Sequence, residues 1–162
     1  MQARPLLAGE HLTLDGRLSH PAWQRAPVHR QFVEKFPDTG AAPHQATRVR
    51  VLFDAQALYV GVEALDNAPG QIRAPWVRHD GVNRTQDFVV VYIDAIGNRH
   101  SAQFFRVNAA GSLADGMHTA ADDSEDFSPD FDFDAATART AGGWTAVFRI
   151  PFRQYEEAAD GQ

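Results

Sequence analysis

The sequence holds many side chains able to do chemistry, but few are spaced for catalysis. Serines stand at positions 19, 101, 112, 124 and 128, and none lies in a Gly-x-Ser-x-Gly elbow. There is neither a phosphate-cradling glycine loop nor a dinucleotide fingerprint. Seven histidines are scattered without a His-x-x-x-His pair on a helix. Cysteine is absent, which removes disulfides, thiolate metal sites, iron–sulfur clusters and thiol nucleophiles together. Met117 and His118 are adjacent on an extended segment, so their side chains diverge and cannot bracket one haem iron. No catalytic residue is therefore expected, and the chain does not read as an enzyme.

Two features point to binding instead. Residues 122–134 are rich in carboxylates, and calcium takes roughly six to eight oxygens. Asp122, Asp123, Glu125 and Asp126 are the candidate ligands for a structural calcium. They do not follow the EF-hand spacing, and a solvated acidic loop is the alternative. The tryptophans are the second feature. An exposed indole can stack on the apolar face of a pyranose while planar polar groups bond its hydroxyls. Trp23 and Trp144 lie in apolar or alternating contexts and are expected in the core. Trp76 lies in a charged, turn-rich segment, Ile72-Arg73-Ala74-Pro75-Trp76-Val77-Arg78, and is the candidate platform.

The elements that must position these residues are strands. Residues 47–54 alternate, with Val49, Val51 and Phe53 on one face and Arg48 and Arg50 on the other. Residues 57–66 return after a turn, with Leu58, Val60, Val62 and Ala64 on one face. Residues 87–94 are β-branched and aromatic almost throughout, which predicts a central strand buried on both faces. Residues 101–108 return from it, placing Phe104, Arg106 and Asn108 on one face and Gln103, Phe105 and Val107 on the other. A further strand follows at 112–118, and a last hairpin joins 131–140 to 143–150. There Trp144, Ala146, Phe148 and Ile150 share a face. Residues 21–25 form one helical turn, with Pro21 at its favoured first position. The pattern is all-β: an antiparallel, jelly-roll-like β-sandwich.

Length and composition agree. The 162 residues are 44% hydrophobic and 22% charged, which fits a single folded domain over residues 1–162. The net charge of −6 argues against nucleic acid as a partner. No apolar run nears the roughly 18 residues of a membrane-spanning helix, so direct membrane insertion of this domain is not expected. No signal peptide is visible after Met1, so an exported protein would carry its leader outside this chain.

Five motifs in order resemble family 9 carbohydrate-binding modules. They are Leu14-Asp15-Gly16-Arg17-Leu18 with Pro21-Ala22-Trp23, then residues 49–54 with 57–62, then 87–94, 103–108 and 143–151. Residues 106–111, 114–116 and 125–132 resemble the subgroup that precedes an uncharacterised outer-membrane, barrel-like region in bacterial proteins. The resemblance implies an extracytoplasmic module (periplasmic, outer-membrane or secreted) that binds an oligo- or polysaccharide of xylan or glucan type. It implies a role in carbohydrate catabolism, calcium as a structural cofactor, and a C-terminal domain of the same polypeptide as a partner.

Arg106 and Asn108 match the family's sugar-binding Arg and Asn. Arg84 occupies the position of its platform Trp, and Val90 that of its binding Glu. The implied ligand-binding set is Arg106, Asn108, Trp76 and Arg84. Two readings follow: Trp76 replaces the platform, or the domain is a structural and protein-interaction unit attached to the barrel, without sugar binding. The resemblance also implies that the domain lacks its last strand or strands, with residues 156–162 as the loop leading there.

Overall fold

The computed structural model describes residues 1–35 and 39–155. The reading of residues 156–162 as a connecting loop falls outside them. The elements in chain order are β1 (Ala3–Pro5), α1 (Pro21–Arg25), β2 (Thr47–Phe53), β3 (Ala57–Leu65), β4 (Phe88–Ile93), β5 (Ser101–Asn108), β6 (Leu113–Thr119), β7 (Ser124–Asp126), β8 (Asp134–Thr140) and β9 (Gly143–Pro151). They form two sheets, ordered β1-β2-β3-β9-β8 and β4-β5-β6-β7. All pairings are antiparallel except β1 with β2. The β-sandwich read from the alternation is the observed fold.

The core lies between the sheets. Val49 and Val51 of β2, Val60 and Val62 of β3, and Trp144, Ala146, Phe148 and Ile150 of β9 supply one layer. Phe105 and Val107 of β5 supply the other, with Phe133 beside them. Each set occupies alternate positions of its strand, as a two-residue period requires.

The first sheet is covered on its outer face as well. Trp23, carried by α1, packs there with Leu52, Tyr59 and Val147. Gly61 makes this close approach possible: a Cβ at that position would stand 2.5 Å from Leu18 Cδ2 and 2.8 Å from Trp23 Cζ3. Pro21 starts this single-turn helix and His20 caps it, its Nδ1 accepting from the Ala22 N–H at 3.1 Å; extended backbone at Ala26 ends it.

One expectation fails. Among the described residues β4 is not central but stands at the edge of its sheet, paired with β5 alone. Its residues are half-buried, apart from an exposed Tyr92. A continuous apolar run is the pattern of a strand covered on both faces; here, among the described residues, one strand edge of β4 has no neighbour in the sheet. Two short strands, β1 and β7, carry no periodic signal in the sequence.

Candidate functional site

The outer face of the second sheet carries the residues singled out in the sequence. β5 presents Phe104, Arg106 and Asn108 there, as the alternation requires. The segment between β3 and β4 folds back across this face, and the turn after β7 closes it from the other side.

Arg106 lies beneath this cover, 2% exposed. Its guanidinium donates to the carbonyl of Val82 at 3.1 Å and forms an ion pair with Glu125 of β7. The rings of Phe88, Phe104 and Phe127 surround it, with centroids 4.7, 5.0 and 5.8 Å from Cζ. Delocalised charge and weak hydration suit guanidinium to such an aromatic, ion-paired setting. The sequence shows Arg106 on the right face; it does not show that Val82 and Phe127 cover it.

Asn108 is fully buried. Its Nδ2 donates to the carbonyl of Pro75 at 2.8 Å and to Gln86 Oε1 at 2.9 Å. Its Oδ1 accepts from the N–H groups of Ala110 and Ser112. The amide thus uses both donors and its acceptor internally, tying the β5–β6 turn to the β3–β4 segment. Neither Arg106 nor Asn108 faces an open groove.

Trp76 behaves differently. It is 78% exposed, although its chain neighbours are held on both sides. Pro75 is bound by Asn108, and the Val77 N–H donates to Ser112 Oγ at 3.0 Å. The indole edge passes over the β5–β6 turn, where a Cβ on Gly111 would stand 3.7 Å from Trp76 Cη2. Gly111 has φ of +96°, which glycine adopts at little cost. The result is a broad apolar plane on an anchored loop. Arg73 and Arg78 are exposed on the same segment.

Arg84 is exposed, and its guanidinium reaches Asp123 at 3.5 Å.

The acidic tract does not fit a calcium cage. Asp122 accepts from the N–H and Oγ of Ser124, and Asp126 from the N–H of Ser128. Glu125 is paired with Arg106. Asp123 meets His118 at 2.9 Å, Lys35 at 3.0 Å and Arg84. Hydrogen bonds from His118 and then Lys35 hold the Asp123 carboxyl far below the usual carboxylate range. Four carboxylates with four separate sets of partners do not converge on one ion.

A different cluster has no signature in the residue spacing. Among the described residues, His79, Asp80 and Asp115 alone gather three ligand-type atoms within 4.8 Å of one another. His79 Nε2 lies 2.6 Å from Asp115 Oδ1, and the Phe131 N–H donates to Asp115 Oδ2. The Asp115 N–H donates to Asp80 Oδ1 at 3.1 Å. These bonds latch the β3–β4 segment and the approach to β8 onto β6. Asp115 faces the core between neighbours of no distinctive pattern, so its partners could not be read from spacing.

No protein-family model matches the sequence, and no curated protein matches it. Solved structures do. A family 9 carbohydrate-binding module from Caldicellulosiruptor kristjanssonii, in complex with cellotriose, aligns over 93% of this chain and 67% of its own, with TM-score 0.61 and 18% identity. The complex of such a module from that organism with glucose gives TM-score 0.57 at 18% identity, over 93% and 69%. A candidate carbohydrate-binding protein from Bacteroides uniformis gives TM-score 0.59 at 12% identity, over 83% and 64%. This chain has the β-sandwich fold of family 9 carbohydrate-binding modules.

Proposed function

We propose that this domain is a non-catalytic binding module for a glucan- or xylan-type glycan, working outside the cytoplasm within a larger bacterial protein of carbohydrate catabolism. The observation that carries the reading is Trp76: a large, exposed indole on a loop pinned at both flanking residues. A platform held in place before the ligand arrives loses little entropy on binding. Two structures of the same fold, bound to cellotriose and to glucose, support saccharide as the ligand class. Arg73 and Arg78, exposed beside the indole, are the polar partners for sugar hydroxyls.

The test is a titration with cello- and xylo-oligosaccharides, followed by calorimetry and by the indole amide resonances. Millimolar ligand is expected to shift the Trp76 signal and leave those of Trp23 and Trp144 in place. Silence at that concentration, or shifts confined to other regions, overturns the reading.

The burial of Arg106 and Asn108 favours a second reading, a structural and interaction domain attached to an outer-membrane barrel. It predicts no saccharide response with any of these ligands.

A further inference from the structure

Asp115 of β6 is 1% exposed, and the half-buried Asp80 stands beside it. Among the described residues, no lysine or arginine pairs with either carboxylate. Their basic neighbour is His79, whose Nε2 lies 2.6 Å from Asp115 Oδ1 and 3.5 Å from Asp80 Oδ1. Two carboxylates thus share a single imidazole. Buried carboxylates are ordinarily neutralised by a paired charge or by a bound metal ion.

The chain holds the donor atoms in place by itself. Asp80 is fixed twice to β6: its N–H donates to the Leu113 carbonyl at 3.0 Å, and its Oδ1 accepts from the Asp115 N–H at 3.1 Å. Its φ of +63° is one that Asp and Asn adopt more readily than most residues. Asp115 Oδ2 accepts from the Phe131 N–H, a bond from outside the cluster that turns Oδ1 into it. Among the described residues, that Oδ1 bonds to His79 and to no group beyond the cluster. Metal-binding carboxylates are oriented by hydrogen bonds of this kind, made from behind.

The donor set selects among cations. Calcium takes roughly six to eight oxygens, and magnesium keeps an octahedral shell of them. One imidazole with two carboxylates suits zinc and its first-row neighbours. Tetrahedral ligands with bonds of about 2.0–2.2 Å stand about 3.3–3.5 Å apart. The three donor atoms here lie within 4.8 Å of one another, and the His79–Asp80 separation of 3.5 Å already matches. The His79 ring is half-exposed, and it has to back away from Asp115 by less than about 1 Å.

We infer that His79 Nε2, Asp80 Oδ1 and Asp115 Oδ1 form a binding site for a divalent ion of the zinc class. The fourth place, on the exposed side of His79, belongs to water. The ion clips the β3–β4 segment to β6 and stiffens the loop that carries Trp76, three residues before His79. The site is separate from the acidic tract at 122–134, whose carboxylates have other partners. The inference does not depend on saccharide binding.

The probe is zinc chloride, titrated into the full chain after treatment with a chelator. Calorimetry is expected to show one saturable site for zinc and none for calcium or magnesium chloride. NMR of the imidazole nitrogens is expected to show His79 Nε2 shifting while the other six histidines hold still. The melting temperature is expected to rise with zinc, since the ion binds the folded chain.

His79→Ala removes a ligand and is expected to weaken zinc by more than the roughly 10–100-fold that losing a residue behind a ligand costs. Asp80→Asn keeps the acceptor for the Asp115 N–H and suits the same φ, so it is expected to fold as the parent does. Its zinc affinity is expected to fall by more than about tenfold. Equal shifts of several imidazoles, the mark of adventitious surface binding, overturn the inference. So does zinc affinity that both variants leave unchanged, or a calcium response that Asp80→Asn abolishes, which would make this a site for a harder ion.

Discussion

Asn108 donates to the carbonyl of Pro75 at 2.8 Å, and the next residue is the exposed Trp76. A buried amide on β5 thus sets the position of a surface indole more than thirty residues earlier in the chain. This relationship links the scaffold to the candidate binding platform, and it separates two kinds of variant.

Trp76→Ala removes the platform and little else. An exposed side chain away from any cap or ion pair is expected to change stability by less than about 0.5 kcal/mol. Calorimetry should show the saccharide response lost, while thermal unfolding stays where it was.

Asn108→Ala acts from beneath. It strands the Pro75 carbonyl and the N–H groups of Ala110 and Ser112, each of which bonds the amide directly. Leaving buried polar groups unpaired costs roughly 1–3 kcal/mol per group. Urea unfolding should show a loss of at least about 3 kcal/mol. Saccharide response is expected to weaken without vanishing, because the indole survives on a loosened loop.

The Arg106–Glu125 pair offers a double-mutant cycle. Glu125→Ala leaves a buried guanidinium unpaired and should cost about 3–5 kcal/mol. Replacing both residues, Arg106→Met with Glu125→Leu, is expected to recover most of that loss, since apolar side chains can fill the space among Phe88, Phe104 and Phe127. Chemical denaturation of the parent, Arg106→Met, Glu125→Leu and the double variant measures the coupling.

Acid stability has a directional prediction. Asp123 is held below its ordinary value of 3.8 by hydrogen bonds from His118 and Lys35. A carboxyl depressed in the folded state stabilises the protein fully above its unfolded pKa and progressively less as pH falls toward the folded one. The contribution is therefore intact at neutral pH and fades below about pH 4. Asp123→Asn should flatten the fall in melting temperature between about pH 4 and pH 2, compared with the parent protein.

Gly61→Ala tests the packing of the outer layer. The added methyl collides with Leu18 and with the Trp23 ring, both backed by β3. Overpacking of this kind typically costs about 1–3 kcal/mol. A melting temperature equal to that of the parent would mean that α1 can lift away without loss.

Local patterning carried much of the architecture. The face shared by Trp144, Ala146, Phe148 and Ile150, and the opposite faces of Arg106 and Phe105, follow from a two-residue period that any pleated strand obeys. The single turn at Pro21 is legible because its capping is local. The exposure of Trp76 is also legible, since charge and turn formers surround it.

Burial from outside a strand could not be read this way. Val82 and Phe127, which close over Arg106, come from segments with no period of their own. Nor could the place of β4 in its sheet, because an apolar run looks the same whether a neighbour lies on one edge or on two. Periodicity is a property of neighbours along the chain and determines which face a residue takes. What lies opposite that face depends on contacts between distant segments, and only the assembled fold decides it.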